Sequence, residues 1–517
     1  MRPLARALLG SVAGIYSIAG AQAADIPGRL PVKALPVEYV RVCSLYGAGF
    51  WYVPGTDTCI KIGAYVKLQT EFNATNAPFM MGVATNGAGD PGGRNTRTDT
   101  APFTFNNRGV MSFDLRTQTQ YGTLRSYMDL GVNTNANDFW NAGANQLAAL
   151  ALFNSRAFIQ YAGFTAGRIR SFFDMYFQGT YTFSSQRFGN DTSPNGIVGI
   201  GYTWQFGGGI SATVSLEDNG QGAGGRGRST VNVAAPNLAI AANTFDTKGP
   251  EFFDPVFNLR LDQAWGFVGV SAAAHDASGG YFSAIQGPFN PCPAGVAVNN
   301  FVEGCGHPGD KFGFAVSPAF LWNNPFGLAG DAVAAQAVWS KGAAGFATSI
   351  FGPTAVFGSG LDVGLGWLEE GIFTTRSNVE LTTVWSFNAA YEHRWNPQWR
   401  TSVYGGMLGV QYDGAAKAAI CASRTAGSVT TFTAFSGITN ITNCDPNFSM
   451  SEVGTRTMWN PVPDLDVGVD LVWWHLNTAF AGTAVLGQNG AKPAGTYTIS
   501  DQNALSAIFR IQRNFLY

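Results

Sequence analysis

Cys59-Ile60-Lys61-Ile62-Gly63-Ala64-Tyr65-Val66-Lys67-Leu68-Gln69-Thr70-Glu71-Phe72 alternates in polarity along its whole length. Ile60, Ile62, Ala64, Val66 and Leu68 take one face, while Lys61, Tyr65, Lys67, Gln69 and Glu71 take the other. A period of two is the signature of a β-strand, whose successive side chains point to opposite faces. The pattern then recurs. Met111, Phe113 and Leu115 interleave with Ser112, Asp114 and Arg116. A tight Gln120-Tyr121-Gly122 turn leads to Arg125, Tyr127 and Asp129 set against Ser126, Met128 and Leu130. After Gly207-Gly208-Gly209, Ile210, Ala212, Val214 and Leu216 alternate with Ser211, Thr213, Ser215 and Glu217.

Extended along the chain, the alternation predicts sixteen strands, near 60–72, 104–118, 122–134, 150–162, 164–170, 195–206, 209–218, 252–262, 266–276, 310–322, 330–341, 380–394, 398–413, 449–459, 464–477 and 500–517. Every odd connection is long: 73–103, 135–149, 171–194, 219–251, 277–309, 342–379, 414–448 and 478–499. Every even one is short, as at Gly163, Gln263-Ala264-Trp265 and Trp395-Asn396-Pro397. This rule puts all long loops at one end of an up-and-down sheet, as in membrane barrels with long external loops and short periplasmic turns. A soluble β-sandwich also alternates, but it imposes no such rule on fifteen consecutive connections. Within hydrocarbon every backbone polar group must be bonded internally, so the sheet has to close. The expected fold class is all-β: a transmembrane antiparallel up-and-down β-barrel of about 16 strands over residues 60–517.

The composition agrees. The 517 residues are 46% hydrophobic and only 12% charged, against about 25% charged in soluble chains. Yet no mature segment offers the roughly 20 apolar residues of a spanning helix. The longest uncharged stretch, Gly342–Gly360, is broken by Gly345, Gly352, Pro353 and Gly358. Alternation resolves the paradox, because only every second strand residue has to face lipid. The 13% aromatic content and low charge exclude a disordered chain. With 31 Lys+Arg against 33 Asp+Glu there is no basic excess, so nucleic acid is not an expected partner.

Residues 1–23 read as a signal peptide. Arg2 and Arg6 form the basic region, Ala7 to Ala19 the apolar one, and Ala21-Gln22-Ala23 the cleavage site. The competing reading, a membrane anchor, fails because the apolar run is short and holds Gly10, Ser11, Gly14 and Ser17. Residues 24–59 are expected to form a periplasmic-side segment. The six cysteines fall into three neighbouring pairs, Cys43 with Cys59, Cys292 with Cys305 and Cys421 with Cys444. Local disulfides are the simplest pairing in an exported chain. A metal site would favour C-x-x-C spacing, and none is present; neither metal nor cofactor is expected. The last strand alternates Phe509, Ile511, Phe515 and Tyr517 with Arg510, Gln512 and Asn514. It is expected to close the barrel and to serve as an address for the barrel-assembly machinery. Arg513 breaks the phase, and a place at the rim would let it snorkel.

Several stretches resemble the alphaproteobacterial, rhizobial-type outer-membrane porin family. Among them are Tyr39-Val40-Arg41-Val42-Cys43 with Pro54-Gly55-Thr56-Asp57-Thr58-Cys59, and Arg116-Thr117-Gln118-Thr119-Gln120-Tyr121-Gly122. Others are Gly163-Phe164-Thr165-Ala166-Gly167-Arg168 with Ser171-Phe172-Phe173-Asp174, Trp459-Asn460-Pro461-Val462-Pro463-Asp464, and Phe509-Arg510-Ile511-Gln512-Arg513-Asn514-Phe515. The resemblance implies a trimeric sixteen-stranded barrel in outer-membrane lipid for passive diffusion of small hydrophilic solutes. It also implies a third loop folded inward. The terminal Leu516-Tyr517 departs from the family pattern.

A barrel of this size is wide enough for water, so its inward positions should be polar. The pore-lining candidates are Lys67, Glu71, Asp114, Arg116, Arg125, Asp129, Arg156, Arg260, Asp262 and Arg394. Both signs occur, which suits a transverse field. Loop 171–194 is the candidate constriction, and its Asp174 and Asp191 are expected to face wall arginines. His275, His307, His393 and His475 are scattered, and none sits in H-E-x-x-H. A diffusion porin is the first reading, a substrate-selective channel the second, and a barrel hydrolase or adhesin the third.

Overall fold

The computed structural model describes residues 41–72, 103–135, 150–184, 188–189, 192, 196–218, 226, 229–233, 247–249, 251–282, 306–348, 352–357, 360–374, 376–425, 440–486 and 493–515. Cys43–Tyr517 forms one compact unit. The expected signal peptide, Asp191, Cys292 and Cys305 lie outside the described residues.

Sixteen barrel strands run in chain order: β1 (Thr58–Phe72), β2 (Phe103–Thr119), β3 (Gly122–Asn135), β4 in two pieces (Leu150–Phe153 and Ala157–Tyr161), β5 (Phe164–Ile169), β6 (Ile197–Gly207), β7 (Ile210–Glu217) and β8 (Asp254–Gln263). They continue as β9 (Gly266–Asp276), β10 (Phe312–Asn323), β11 (Ala332–Lys341), β12 (Thr383–Arg394), β13 (Trp399–Gln411), β14 (Phe448–Trp459), β15 (Leu465–Asn477) and β16 (Gln502–Phe515). Each pairs antiparallel with its neighbours, and β16 returns to β1 with Ala64 opposite Phe515 and Phe72 opposite Ala507. That last pairing closes the barrel and leaves no edge, as hydrocarbon requires.

The alternation sets which face meets lipid. On β1, Val66, Leu68 and Phe72 are exposed outward while Gln69 is buried within. On β7, Val214 and Leu216 face out, and Thr213, Ser215 and Glu217 are buried. Exposed aromatics gather near the short turns: Tyr121, Phe164, Phe206, Trp265, Phe326, Trp395, Trp399 and Trp459. This is the girdle expected where a barrel meets the headgroups. The 208–209 turn needs its glycines. Gly208 and Gly209 have φ of 60° and 83°, and a Cβ on Gly209 would lie 1.9 Å from the Asp262 carbonyl oxygen. Arg513 sits at this end, donating from Nη1 to the Pro463 carbonyl at 2.8 Å.

Among the described residues two disulfides are formed, Cys43–Cys59 and Cys421–Cys444. The first ties the segment before β1 to the barrel, where Arg116 of β2 lies 4.9 Å over the Phe50 ring.

The expectation of a uniformly polar interior is corrected at the long-loop end. There the inward Leu408, Val410, Phe448, Met450, Val472, Trp474 and Leu476 are apolar and buried. They pack under loop residues Val363, Leu365, Trp367, Ala484 and Tyr497. Five short loop strands, from Gly352–Phe357 to Gly495–Ile499, form a sheet over them. Apolar side chains are tolerated inside because the loops, not water, cover them.

Candidate channel constriction

β5 has six residues where its neighbour β6 has eleven, so the third long connection leaves the wall early. The described residues of this connection, 170–184, 188–189, 192 and 196, turn inward. Its described contacts fall on β7–β10 and β12–β16: at its root, Glu217 of β7 accepts from the Ser171 hydroxyl and the Phe172 amide. Asn258 of β8 donates to the Phe172 carbonyl at 2.9 Å, and Met175 packs with Phe267 and Ala319. Ser386 of β12 accepts from the Gly189 amide at 3.1 Å. Asn388 donates to the Phe188 carbonyl, and Ser402 of β13 to that of Tyr181 at 2.6 Å.

A second anchor uses charged wall side chains. Asp470 of β15 accepts from Thr182 Oγ1 at 2.7 Å, from the Phe183 amide at 2.5 Å and from the Tyr404 hydroxyl at 2.5 Å. Arg456 of β14 donates to the carbonyls of Gly179 and Thr180 and pairs with Glu392. Arg510 stacks over the Phe183 ring at 4.0 Å. Burial, reinforced by the Glu392 carboxylate, pushes the Tyr181 phenol up to about 12, so this loop residue stays neutral.

Lys67, Glu71, Asp114, Arg116 and Arg125 share the lumen face of β1–β3. Arg116 and Arg125 stand opposite one another in register and clamp Asp114 through four hydrogen bonds of 2.7–3.0 Å. These three form one group. The other candidates stand apart. Asp129 is buried, accepting from the Ser155 and Arg156 amides at 2.8 Å each and from the Ser155 hydroxyl. It caps the break in β4 rather than lining a channel. Arg156 sits in that break, its Nη1 on the Ser155 carbonyl at 2.6 Å. Arg260 and Asp262 pair with each other at 2.7 Å near the short turn, and Arg394 is exposed at that rim.

Asp174 corrects the expectation that it faces wall arginines. Its carboxylate is buried, accepting from the Thr192 amide and hydroxyl and pairing with Arg226 at 2.8 Å. Arg226 belongs to the next long loop and also pairs with Glu217 at 3.1 Å. An unpaired charge at such depth is costly, so the loop root takes the cation from its neighbour. Beside it, buried His275 bridges Asp254 at 2.8 Å and Glu370 at 3.0 Å. Tyr404, Arg456 and Asp470 could have been found by carrying the inward phase along β13–β15. Arg226 could not, because its glycine-rich surroundings have no phase.

The sequence pattern of the porin subfamily matches residues 29–508. The chain belongs to that family. Family and closed barrel together place it in the outer membrane, crossed by strands. It is similar to a putative outer membrane protein, y4fJ, of Sinorhizobium fredii, with 30% identity over 212 residues, 41% of this chain and 53% of that protein. It is likewise 30% identical to porin Omp2b of Brucella suis over 227 residues, 42% of this chain and 52% of the porin. The match thus spans about half the length of these relatives. In fold it is similar to the outer membrane channel DcaP of Acinetobacter baumannii, with a TM-score of 0.51, 12% identity and coverage of 90% of this chain and 99% of that one.

Proposed function

We propose that the protein is a channel for passive diffusion of small hydrophilic solutes and ions across the outer membrane. One observation carries this reading. The described residues of the third long connection are bonded to the walls of β7–β10 and β12–β16, and the charged strip of β1–β3 faces the lumen outside those contacts. Family and fold are those of a channel rather than an enzyme. On this reading the inward loop is the constriction. The likeness to porins supports a homotrimer, and the aromatic closing strand β16 supports delivery by the barrel-assembly machinery. Swelling of proteoliposomes in sugars of increasing size tests the proposal. Rates above those of protein-free vesicles, falling as the sugar grows, are expected; rates equal to protein-free vesicles would refute it.

A substrate-selective channel is the second reading, favoured by the apolar mass under the loops. Saturation of flux with solute concentration would select it.

A further inference from the structure

The β1–β2 register sets Lys67 directly opposite Arg108. Both side chains are half-buried on the lumen face. Directly opposed residues place their Cβ atoms about 5 Å apart, and like charges there repel. Arg510 of β16 lies opposite Gln69, one diagonal step from Lys67, and adds a third cation. Strand pairing, not side-chain choice, forces these charges together.

The barrel contains the same arrangement a second time, with its answer supplied. Arg116 and Arg125 are also directly opposed, and there Asp114 sits between them, two residues from Arg116 on the same face. Around Lys67 and Arg108 the equivalent positions are Asn106 and Val110 on β2 and Tyr65 and Gln69 on β1, all uncharged. Among the described residues, Lys67 Nζ makes neither ion pair nor hydrogen bond. Arg108 uses only Nε, donating to Asn133 Oδ1 at 3.3 Å, with its guanidinium 4.8 Å over the Phe153 ring. Arg510 spends Nε on Gln69 at 2.7 Å and Nη2 on the Phe183 carbonyl at 3.4 Å. The carboxylate of Glu71 accepts from the Gln69 amide and attracts Lys67 and Arg510 through space, but among the described residues it forms no ion pair with either. The ammonium of Lys67 and the outer guanidinium nitrogens of Arg108 therefore remain as donors, held at one level by register.

We propose that Lys67, Arg108 and Arg510 form a binding site for the oxyanion group of a passing solute, a carboxylate or phosphate taking the place that Asp114 fills between Arg116 and Arg125. The site rests on the channel reading above and gives it a solute class. A bidentate oxyanion bridges an opposed cationic pair as the Asp114 carboxylate does, and Phe183, stacked under Arg510, brings the site beside the inward loop.

The test is planar-bilayer recording of the whole protein in KCl with inorganic phosphate added as the probe. Wild-type channels should show chloride current reduced by phosphate in a saturable manner. Lys67→Gln and Arg108→Gln should each raise the half-saturating phosphate concentration at least tenfold, while Lys67→Arg restores it. Lys417→Gln, in the helix Gly414–Thr425 and paired with Asp445, should leave it unchanged. Wild-type current that shows no saturable inhibition overturns the site even if no variant folds. Inhibition that survives both substitutions overturns it too. Absence of any wild-type channel would instead overturn the diffusion reading beneath it.

Discussion

Arg456 of β14 lies 2.9 Å from Glu392 of β12, and the same guanidinium donates to the Gly179 and Thr180 carbonyls of the inward loop. One buried cation thus joins two wall strands to the loop. Arg456→Ala removes both connections and, among the described residues, leaves Glu392 paired with Arg400 alone, at 3.8 Å. Breaking a buried pair in this way costs about 3 kcal/mol or more. The variant barrel should unfold at lower temperature in a gel-shift assay and conduct more, with noisier open states, in bilayers. Unchanged conductance and unfolding would mean that Arg456 does not hold the loop.

Asp114 is the protein's own counter-ion for two opposed arginines. Asp114→Asn leaves Arg116 and Arg125 facing the lumen uncompensated and should move the reversal potential in a KCl gradient toward chloride. A unit charge at 4 Å in water is worth about 1 kcal/mol, or roughly fivefold in the permeability ratio. Arg125→Gln should move it the opposite way. Shifts of one sign in both variants would contradict the clamp.

Asp174 behaves differently because it does not see the lumen. Its pair with Arg226 leaves the side chains 0% and 1% exposed. Asp174→Asn should destabilise the barrel by about 3–5 kcal/mol and leave ion preference in the folded fraction as it was. A changed reversal potential without lost stability would place the carboxylate in the channel instead.

These contrasts show where sequence is informative. The period of two in Cys59–Phe72 and its repeats placed the strands within a few residues, because each barrel position has one lipid face and one inner face. The long-short rule gave the topology for the same reason. Nothing local distinguishes Asp174 from Asp114: whether an acid meets water or an arginine from another loop depends on contacts more than 50 residues away in sequence. The apolar mass under the loops was hidden likewise, since Trp474 and Leu476 sit in ordinary inward phase.

At the short-turn end, Asp331 accepts from the Tyr391 hydroxyl at 2.5 Å, His393 Nδ1 at 2.8 Å and the Arg394 amide at 2.9 Å. Burial alone would raise its carboxyl, but these hydrogen bonds outweigh it and hold the group below the usual carboxylate range. A depressed folded value stabilises the barrel above the unfolded pKa of about 3.9, and that contribution fades as pH falls through the folded value. Asp331→Ala should therefore lower the unfolding temperature at pH 7 and converge with wild type as pH falls through the depressed folded value. A gap that persists in acid would rule out the ionised carboxylate as its source.

In the proposed channel a water-filled passage is lined by the polar phase of β1 and sealed from lipid by the apolar one. Neighbouring residues of one strand test it most directly. In bilayers, a water-soluble, membrane-impermeant thiol reagent should cut the current of Lys67→Cys channels in discrete steps and leave Val66→Cys channels untouched. Block at position 66 with none at 67, or equal block at both, would contradict the account.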